Sequence, residues 1–337
     1  MSIGLDIGSR TVKLVELEES KTGWRLVSSG IAASSGKLPG QITDEKENLA
    51  LAEVIRKLGR QTNLTDKNVS LALPEVSVFT RLVSFPLVDD KEIASAVKWE
   101  AEQYVPIPMA EAILQYQIVS RDNALTRPES QVLLVATPKD LVEKYLRVAH
   151  LAGLEVVGVE TQLLALVRAL APAQGTVLLM DFGARTTDIA IAKNGTMTFS
   201  RSIPTAGDAL TRALVQNLGV RYSQAEEYKK TYGLSTDLEG KIKKALNPVL
   251  AILVEEIKKA VHFYQTEEKG EAPQSLIVSG GSSTMPEVIA TLSALLGLEV
   301  MMGDPFLKME IEEKTKETLR NYLPLYAVAV GLAMREG

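Results

Sequence analysis

Apolar positions near the start of the chain predict a three-strand meander: residues 2–8, 12–18 and 24–33 run apolar or alternate between turn signals, among them Lys21-Thr22-Gly23. The same plan returns at 176–182, 186–193 and 196–203, with Asn194-Gly195 as a two-residue hairpin turn. After the first meander, Asp44 reads as the N-cap of a helix over about 44–60, with Leu49, Ala52, Ile55 and Leu58 on one face. Residues 69–74 then read as a buried strand. Between about 76 and 155 the pattern becomes β-α-β-β-α with a closing strand near 155–159, which predicts a small inserted α+β subdomain. In its first helix Ile93, Val97, Glu100 or Ala101 and Tyr104 share a face and predict core, while Trp99 falls off that stripe as an exposed contact. A helix at 161–170 leads to a second half, where 207–218, 223–232, 235–245 and 247–267 read as consecutive helices. The α/β pattern resumes with a strand at 275–281, a helix at 286–296, a strand at 298–302 and a last helix at 324–335.

One phrase occurs twice, LDIGSRTVKL at 5–14 and MDFGARTTDI at 180–189, which predicts two similar halves. Asp6 aligns with Asp181, Gly8 with Gly183, Arg10 with Arg185 and Thr11 with Thr186. In each copy an apolar strand ends in a carboxylate and a glycine. The glycine is expected to free the backbone for positive φ and to bring N–H groups to phosphate oxygens. Ser9, Thr11, Thr186 and Thr187 add hydroxyls, and Lys13 adds a phosphate-directed charge. Asp6 and Asp181 suit Mg²⁺, which takes oxygen ligands and keeps part of its water. Asp-x-Gly alone is also ordinary turn chemistry, so the pairing of the two copies carries the reading.

Charge and composition narrow the classes. A net charge of −5 without a dense Lys/Arg stripe argues against nucleic acid as partner, and the Lys/Glu-rich stretches at 226–230, 255–259 and 310–317 read as solvated helix faces. The absence of cysteine excludes disulfides and thiolate metal sites. The start lacks a secretory pattern, and the longest apolar run, 323–334, is shorter than the roughly 20 residues a membrane span needs. A cytoplasmic protein, with any membrane association made through a partner, is the expectation.

A third element follows the second hairpin: residues 275–282 read as an apolar strand ending in Ser-Gly-Gly-Ser, with Thr284 as a cap and Pro286 in the first helical turn. The order hairpin, insert, hairpin, Gly-Gly loop resembles the actin and sugar-kinase ATPase superfamily, and the insert resembles that of FtsA. More narrowly, GLDIGSRTVKLVEL, IASAVKWEAEQYVPIP, MDFGARTTDIAI and YAVAVGLAMRE resemble the PilM family of type IV pilus assembly proteins. The resemblance implies an α/β, actin-like two-lobed ATPase fold with duplicated core domains and an FtsA-type α+β insert in the first lobe. Its divisions would be 1–75 with 156–172 as the first core, 76–155 as the insert, 173–205 with 274–337 as the second core, and 206–273 as a helical subdomain.

The resemblance also implies a site for ATP or ADP with Mg²⁺. Asp6, Ser9, Arg10, Thr11 and Lys13 match the first phosphate motif, and Asp181, Gly183, Ala184, Arg185, Thr186 and Thr187 the second. Gly280, Gly281 and Ser282 match the adenosine motif, joined by Gly207. Glu226 and Lys229 match a helical pair at the ribose and adenine edge; without the resemblance they read equally as a surface ion pair. Gln162 matches the position that orients water for catalysis, or is an ordinary helix-start residue, and slow or absent hydrolysis is expected. The family's partner would be the N-terminal cytoplasmic tail of PilN, lying between the first core and the insert, with the pilus motor or other inner-membrane pilus components beyond it. Homo-oligomerisation stays open. FtsA-like proteins carry a C-terminal membrane-targeting helix, whereas this sequence ends at Gly337 after a core helix, which favours tethering by a partner over direct insertion. The alternatives are a polymerising FtsA- or MreB-like cytoskeletal ATPase and a small-molecule kinase; for the latter, Asp89 and Asp90 read as helix caps rather than as a base.

Overall fold

The computed structural model describes the chain apart from residues 22, 35, 88–89, 123–128 and 336–337. Thr22 of the first turn, Asp89, the side chain of Asp90 and Gly337 therefore lie outside the described residues. The first half contains β1 (Ser2–Ile7), β2 (Thr11–Ser20), β3 (Gly23–Ala33), α1 (Glu45–Gln61), β4 (Asn68–Leu73), β5 (Phe79–Pro86), α2 (Asp90–Tyr104), β6 (Ala112–Asp122), β7 (Glu129–Pro138), α3 (Lys139–Leu151), β8 (Glu155–Thr161) and α4 (Gln162–Leu170). The second contains β9 (Thr176–Phe182), β10 (Thr187–Lys193), β11 (Thr196–Ile203), α5 (Gly207–Leu218), α6 (Tyr222–Tyr232), α7 (Lys241–Thr266), β12 (Ser275–Ser279), α8 (Val288–Leu296), β13 (Glu299–Met302), β14 (Met309–Glu310), α9 (Glu313–Leu319) and α10 (Ala327–Ala333). They form three sheets, ordered β14-β3-β2-β1-β4-β8, β11-β10-β9-β12-β13 and β5-β7-β6.

The two meanders are built alike. Asp6 faces Lys13 across β1 and β2, and Asp181 faces Asp188 across β9 and β10. Gly8 N–H donates to Thr11 O at 3.0 Å and Gly183 N–H to Thr186 O at 3.1 Å. Neither glycine has the positive φ expected of it. A Cβ on either would instead stand 2.9 Å from that same carbonyl, so tightness of the turn, not handedness, excludes a side chain. Positive φ is needed at the Asn194-Gly195 hairpin, where both central residues adopt it (51° and 77°) as a type I′ turn demands.

Tertiary packing redraws several segments. Asp44 caps α1 through Lys46 N–H, and Leu51, Ala52, Ile55 and Leu58 are buried, whereas Leu49 is exposed because it points away from that face. The predicted helices at 235–245 and 247–267 are replaced by a 3-10 turn at 238–240 and one long helix, α7. Pro248 forfeits one hydrogen bond there, but the buried stripe from Ile242 to Tyr264 holds both sides of it together. Thr284 is not a cap: it ends a 3-10 turn, and α8 starts at Val288. Residues 76–155 do not share one core. Phe85, Ile93, Val97, Val132 and Leu134, from β5, α2 and β7, pack together. By contrast α3 buries Leu141, Tyr145 and Val148 against Ile3, Leu5 and Ile55 of the first core, and β8 pairs with β4. Trp99 is 66% exposed, as its place off the α2 stripe requires, and Tyr104, predicted core, is exposed under the Arg81 guanidinium.

Within residues 274–337, β14 pairs with β3, and α10 lies against β1, β2, β4 and α4. Every residue of α10 is buried, so it needs apolar cover all round, which the first sheet and α4 supply. Two glycines permit the approach. A Cβ on Gly4 would come 1.9 Å from Ala329 O, and one on Gly331 1.9 Å from Ala165 O. The obstacle is backbone in both cases and cannot rotate aside. Gly331→Ala should therefore destabilise the fold by about 3 kcal/mol or more, at the upper end for overpacking. Gly281→Ala, where a Cβ would meet nothing within 4 Å, should change stability by about 0.5 kcal/mol or less. Urea unfolding of both variants checks the pair; equal stability would contradict the packing.

Candidate functional site

The turns after β1 and β9 face each other across a cleft of about 480 Å³, a volume within the usual range for small-ligand sites. Asp6 and Asp181 both line this one cleft, with Ser9, Arg10, Thr11, Lys13, Gly183, Ala184, Arg185 and Thr186 around them. Gln162, Glu226, Lys229, Gly280, Gly281 and Ser282 complete the predicted set. Two predicted residues do not line it. The pleat turns Thr187 away from the cleft, where it is fully buried and its hydroxyl donates to Thr205 O at 2.7 Å. Gly207 sits behind the lining at the start of α5; its N–H donates to Gly183 O, and a Cβ there would press on the Ser282 hydroxyl at 2.6 Å.

The floor carries more negative charge than the sequence motif advertised. Asp6 is buried but compensated: Lys13 Nζ donates to it at 2.8 Å, and Gln162 Nε2 lies 3.5 Å from its other oxygen. The equivalent of Lys13 in the second hairpin is Asp188, so Asp181 faces a carboxylate where Asp6 faces an ammonium. Burial, then the Asp188 charge, push the Asp181 carboxyl up to about 7. Asp188 also rises to about 7, mainly by burial, although Ser202 and Thr186 hydroxyls donate to it. Asp188 is a cleft residue that motif reading missed. The signal was present: extending the repeat by two positions sets Lys13 against Asp188. Glu75, fully buried at the end of β4 and raised by burial, adds to the field on Asp188. Among the described residues no group of three or more acidic, His or Cys side chains is arranged to hold a metal by itself. Asp6, Asp181 and Asp188 are the carboxylates of the cleft floor that could offer oxygen ligands to a cation completed by other donors.

At the second-lobe wall, Gly280 has φ +86°, and a Cβ there would lie 2.2 Å from Asp181 Oδ1. Gly281 presents bare backbone to open space, and Ser282 Oγ donates to Gly183 O at 2.9 Å. Glu226 and Lys229 are both cleft residues and an ion pair: Lys229 Nζ donates to Glu226 Oε2 at 2.8 Å, to Thr211 Oγ1 at 2.9 Å and to Gly207 O at 3.0 Å. Burial works against ionised Glu226, yet the bonds from Lys229 and Thr211 outweigh it and leave its carboxyl below the ordinary range.

The two repeat arginines do not point at the floor. Arg10 donates across the cleft to Asp208 Oδ1 at 2.7 Å and to the Tyr222 hydroxyl at 2.6 Å, and Arg185 crosses the other way to Gln41 Oε1 at 2.5 Å and to Gly36 O.

A separate groove of about 610 Å³ runs between β8 of the first core and β6 and β7 of the insert. Leu73, Leu133, Val135 and Val159 give it an apolar lining, Val157 stands 61% exposed at its side, and Glu160 and Arg168 form a bidentate ion pair at 2.6 and 2.7 Å along it. Both β8 and β6 are edge strands.

Comparison with known proteins places this geometry. A family model described as type IV pilus assembly protein PilM matches residues 4–337. The structure superposes on a solved chain of a PilM-PilN type IV pilus biogenesis complex with a TM-score of 0.85 and 26% identity, covering 99% of this chain and 98% of that one. MreB5 of Spiroplasma citri bound to ADP gives a TM-score of 0.52 at 14% identity, over 98% and 94% of the two chains, which shows the shared fold. Cell division protein FtsA of Bacillus subtilis is 24% identical over 352 residues, 90% of this chain and 78% of its own length. FtsA of Staphylococcus epidermidis is 24% identical over 252 residues, 68% of this chain; the match spans about half, 54%, of that relative. Two similar hairpins meeting over one cleft, an insert in the first lobe and a family match across nearly the whole sequence agree: this actin-like, two-lobed α/β chain belongs to the type IV pilus assembly protein PilM family.

Proposed function

We propose that the chain is an actin-like adaptor with two ligand sites: the cleft binds ATP or ADP with Mg²⁺, and the groove beside the insert binds the N-terminal tail of a PilN-type membrane partner. The observation that carries the reading is the convergence of both Asp-x-Gly turns and the Gly280-Gly281 loop on one cleft. The lack of side chains at Gly8, Gly183 and Gly281 would let phosphates and nucleoside approach the backbone, Lys13 and the hydroxyls of Ser9 and Thr11 would donate to phosphate oxygens, and Glu226 and Lys229 would border the ribose. Asp6, Asp181 and Asp188 would hold Mg²⁺, which would supply the positive charge that Asp181 and Asp188, unlike Asp6 beside Lys13, lack. Gln162 already contacts Asp6, which supports a role in holding the floor and is consistent with slow or no turnover.

The groove suits an extended peptide: free strand edges on both sides offer backbone hydrogen bonds, and the apolar lining offers pockets for alternate side chains. Such a tail would hold the chain at the cytoplasmic face of the inner membrane; among the described residues no helix is long and apolar enough to cross one.

Asp6→Ala and Lys13→Ala should lose ATP binding in calorimetry while Gln162→Ala retains it; wild-type affinity in all three would remove the nucleotide site. Val157→Asp, which places a charge on the groove's exposed apolar side, should weaken a PilN tail peptide by about tenfold or more in fluorescence anisotropy and leave ATP binding unchanged. An unaltered peptide affinity would place the tail elsewhere. In Mg²⁺-free buffer, Asp181 and Asp188 titrate near 7 when folded and near the ordinary 3.8 when unfolded. The folded state thus holds more protons in between, and its stability falls as pH rises from about 4 to about 7. Asp188→Asn should flatten that fall, because it removes one titrating group and the charge raising the other. Thermal unfolding at pH 5 and pH 8 measures it, and identical slopes for wild type and variant would count against the pair.

A further inference from the structure

We infer that Arg10 and Arg185 are reciprocal straps that hold the two lobes shut over the cleft and so control how fast its ligand leaves. They occupy the same place in the two repeats, and each reaches out of its own turn to the opposite lobe. Arg10, from the turn between β1 and β2, binds Asp208 at the start of α5 and the Tyr222 hydroxyl at the start of α6, with its guanidinium 5.6 Å from the Tyr222 ring centre. The Asp208 carboxylate and the Tyr222 hydroxyl are themselves joined at 3.1 Å, so the guanidinium closes a three-membered polar cluster. Arg185, from the turn between β9 and β10, binds Gly36 O and Gln41 Oε1 in the segment between β3 and α1.

Several features favour straps over phosphate ligands. Each guanidinium already makes two hydrogen bonds to acceptors of the other lobe, Arg10 from Nη2 alone and Arg185 from both terminal nitrogens, and the Arg185 fork is one that Lys, a point donor, cannot reproduce. Both arginines stand among the cleft's exposed residues, whereas Lys13 is half-buried and Lys229 buried. The two straps also run in opposite directions, so a hinge or shear that opens the lobes must break both. Closure is thereby supported by the protein alone and does not wait for a ligand to bridge the halves. The identity of the ligand retained rests on the nucleotide reading above.

The test uses the full chain. Because it contains no cysteine, Lys57→Cys on α1 and Lys244→Cys on α7, both exposed, accept one spin label per lobe. In ligand-free protein, Arg10→Ala with Arg185→Ala should lengthen and broaden the interlobe distance measured by pulsed dipolar spectroscopy. The paired Lys substitutions should fall between the double-alanine variant and wild type. Release of a fluorescent ADP analogue should quicken by about tenfold, the factor that ~1.4 kcal/mol of lost closure produces. Asp208→Asn should quicken it in the same direction, since it weakens the same strap from the other side. An unchanged distance in the double variant overturns the straps. So does slower release from Asp208→Asn, which would make Arg10 a phosphate ligand that Asp208 restrains. Failure of wild type to bind the analogue would fall on the nucleotide reading, and the distance measurement, which needs no ligand, would still decide the straps.

Discussion

Burying carboxylates at the floor of a cleft between two sheets is the constraint on which this molecule turns. A buried charge is tolerable only when paired or neutralised. The first hairpin meets that requirement internally, with Lys13 against Asp6. The second does not: Asp181 and Asp188 face one another, and burial raises both carboxyls to about 7, helped by the Asp188 charge at Asp181 and by the Glu75 charge at Asp188. The asymmetry makes the cleft a place where a bound cation is electrostatically welcome.

Closing two lobes over such a floor requires the scaffold to bring them within reach, and the C-terminal helix contributes by an unexpected route. α10 threads back onto the first sheet and α4, where Gly4 and Gly331 let backbones approach to distances no side chain would allow. α4 begins with Gln162, which lies against Asp6, so the packing of α10 on α4 fixes one end of the site from behind. The insert plays a different part. With its three strands and α2, it leaves a strand edge facing that of β8, and the groove between them is separated from the cleft by little more than the end of β4 and the start of α4.

Much of this was legible in the chain before any coordinates. Period-two patterning with turn chemistry located both meanders to within a residue or two, because strand–turn–strand units are stabilised by local register and by turn residues that sequence names directly. Asn194-Gly195 is the clearest instance. The repeat also assigned most of the cleft lining, since two copies of one turn in one fold must end on the same side of their sheets. Asp188 lies on β10 beyond the turn that carries the motif, and strand alternation and helix packing turn Thr187 and Gly207 away from the cleft.

Position along the chain could not reveal where helices dock. Leu49, the continuity of α7 through Pro248, the allegiance of α3 and the return of α10 to the first lobe are all decided by which apolar surface lies nearest in space, a long-range quantity that a local window does not contain. The direction of the arginines belongs to the same class: sequence fixes that Arg10 and Arg185 sit in equivalent turns, while only the tertiary arrangement puts Asp208, Tyr222, Gly36 and Gln41 within reach of them. Local periodicity and turn chemistry thus determined the elements and their repeated chemistry. Burial and the meeting of distant backbones determined what those elements touch, because a side chain's partner across a cleft is set by the path of the whole chain.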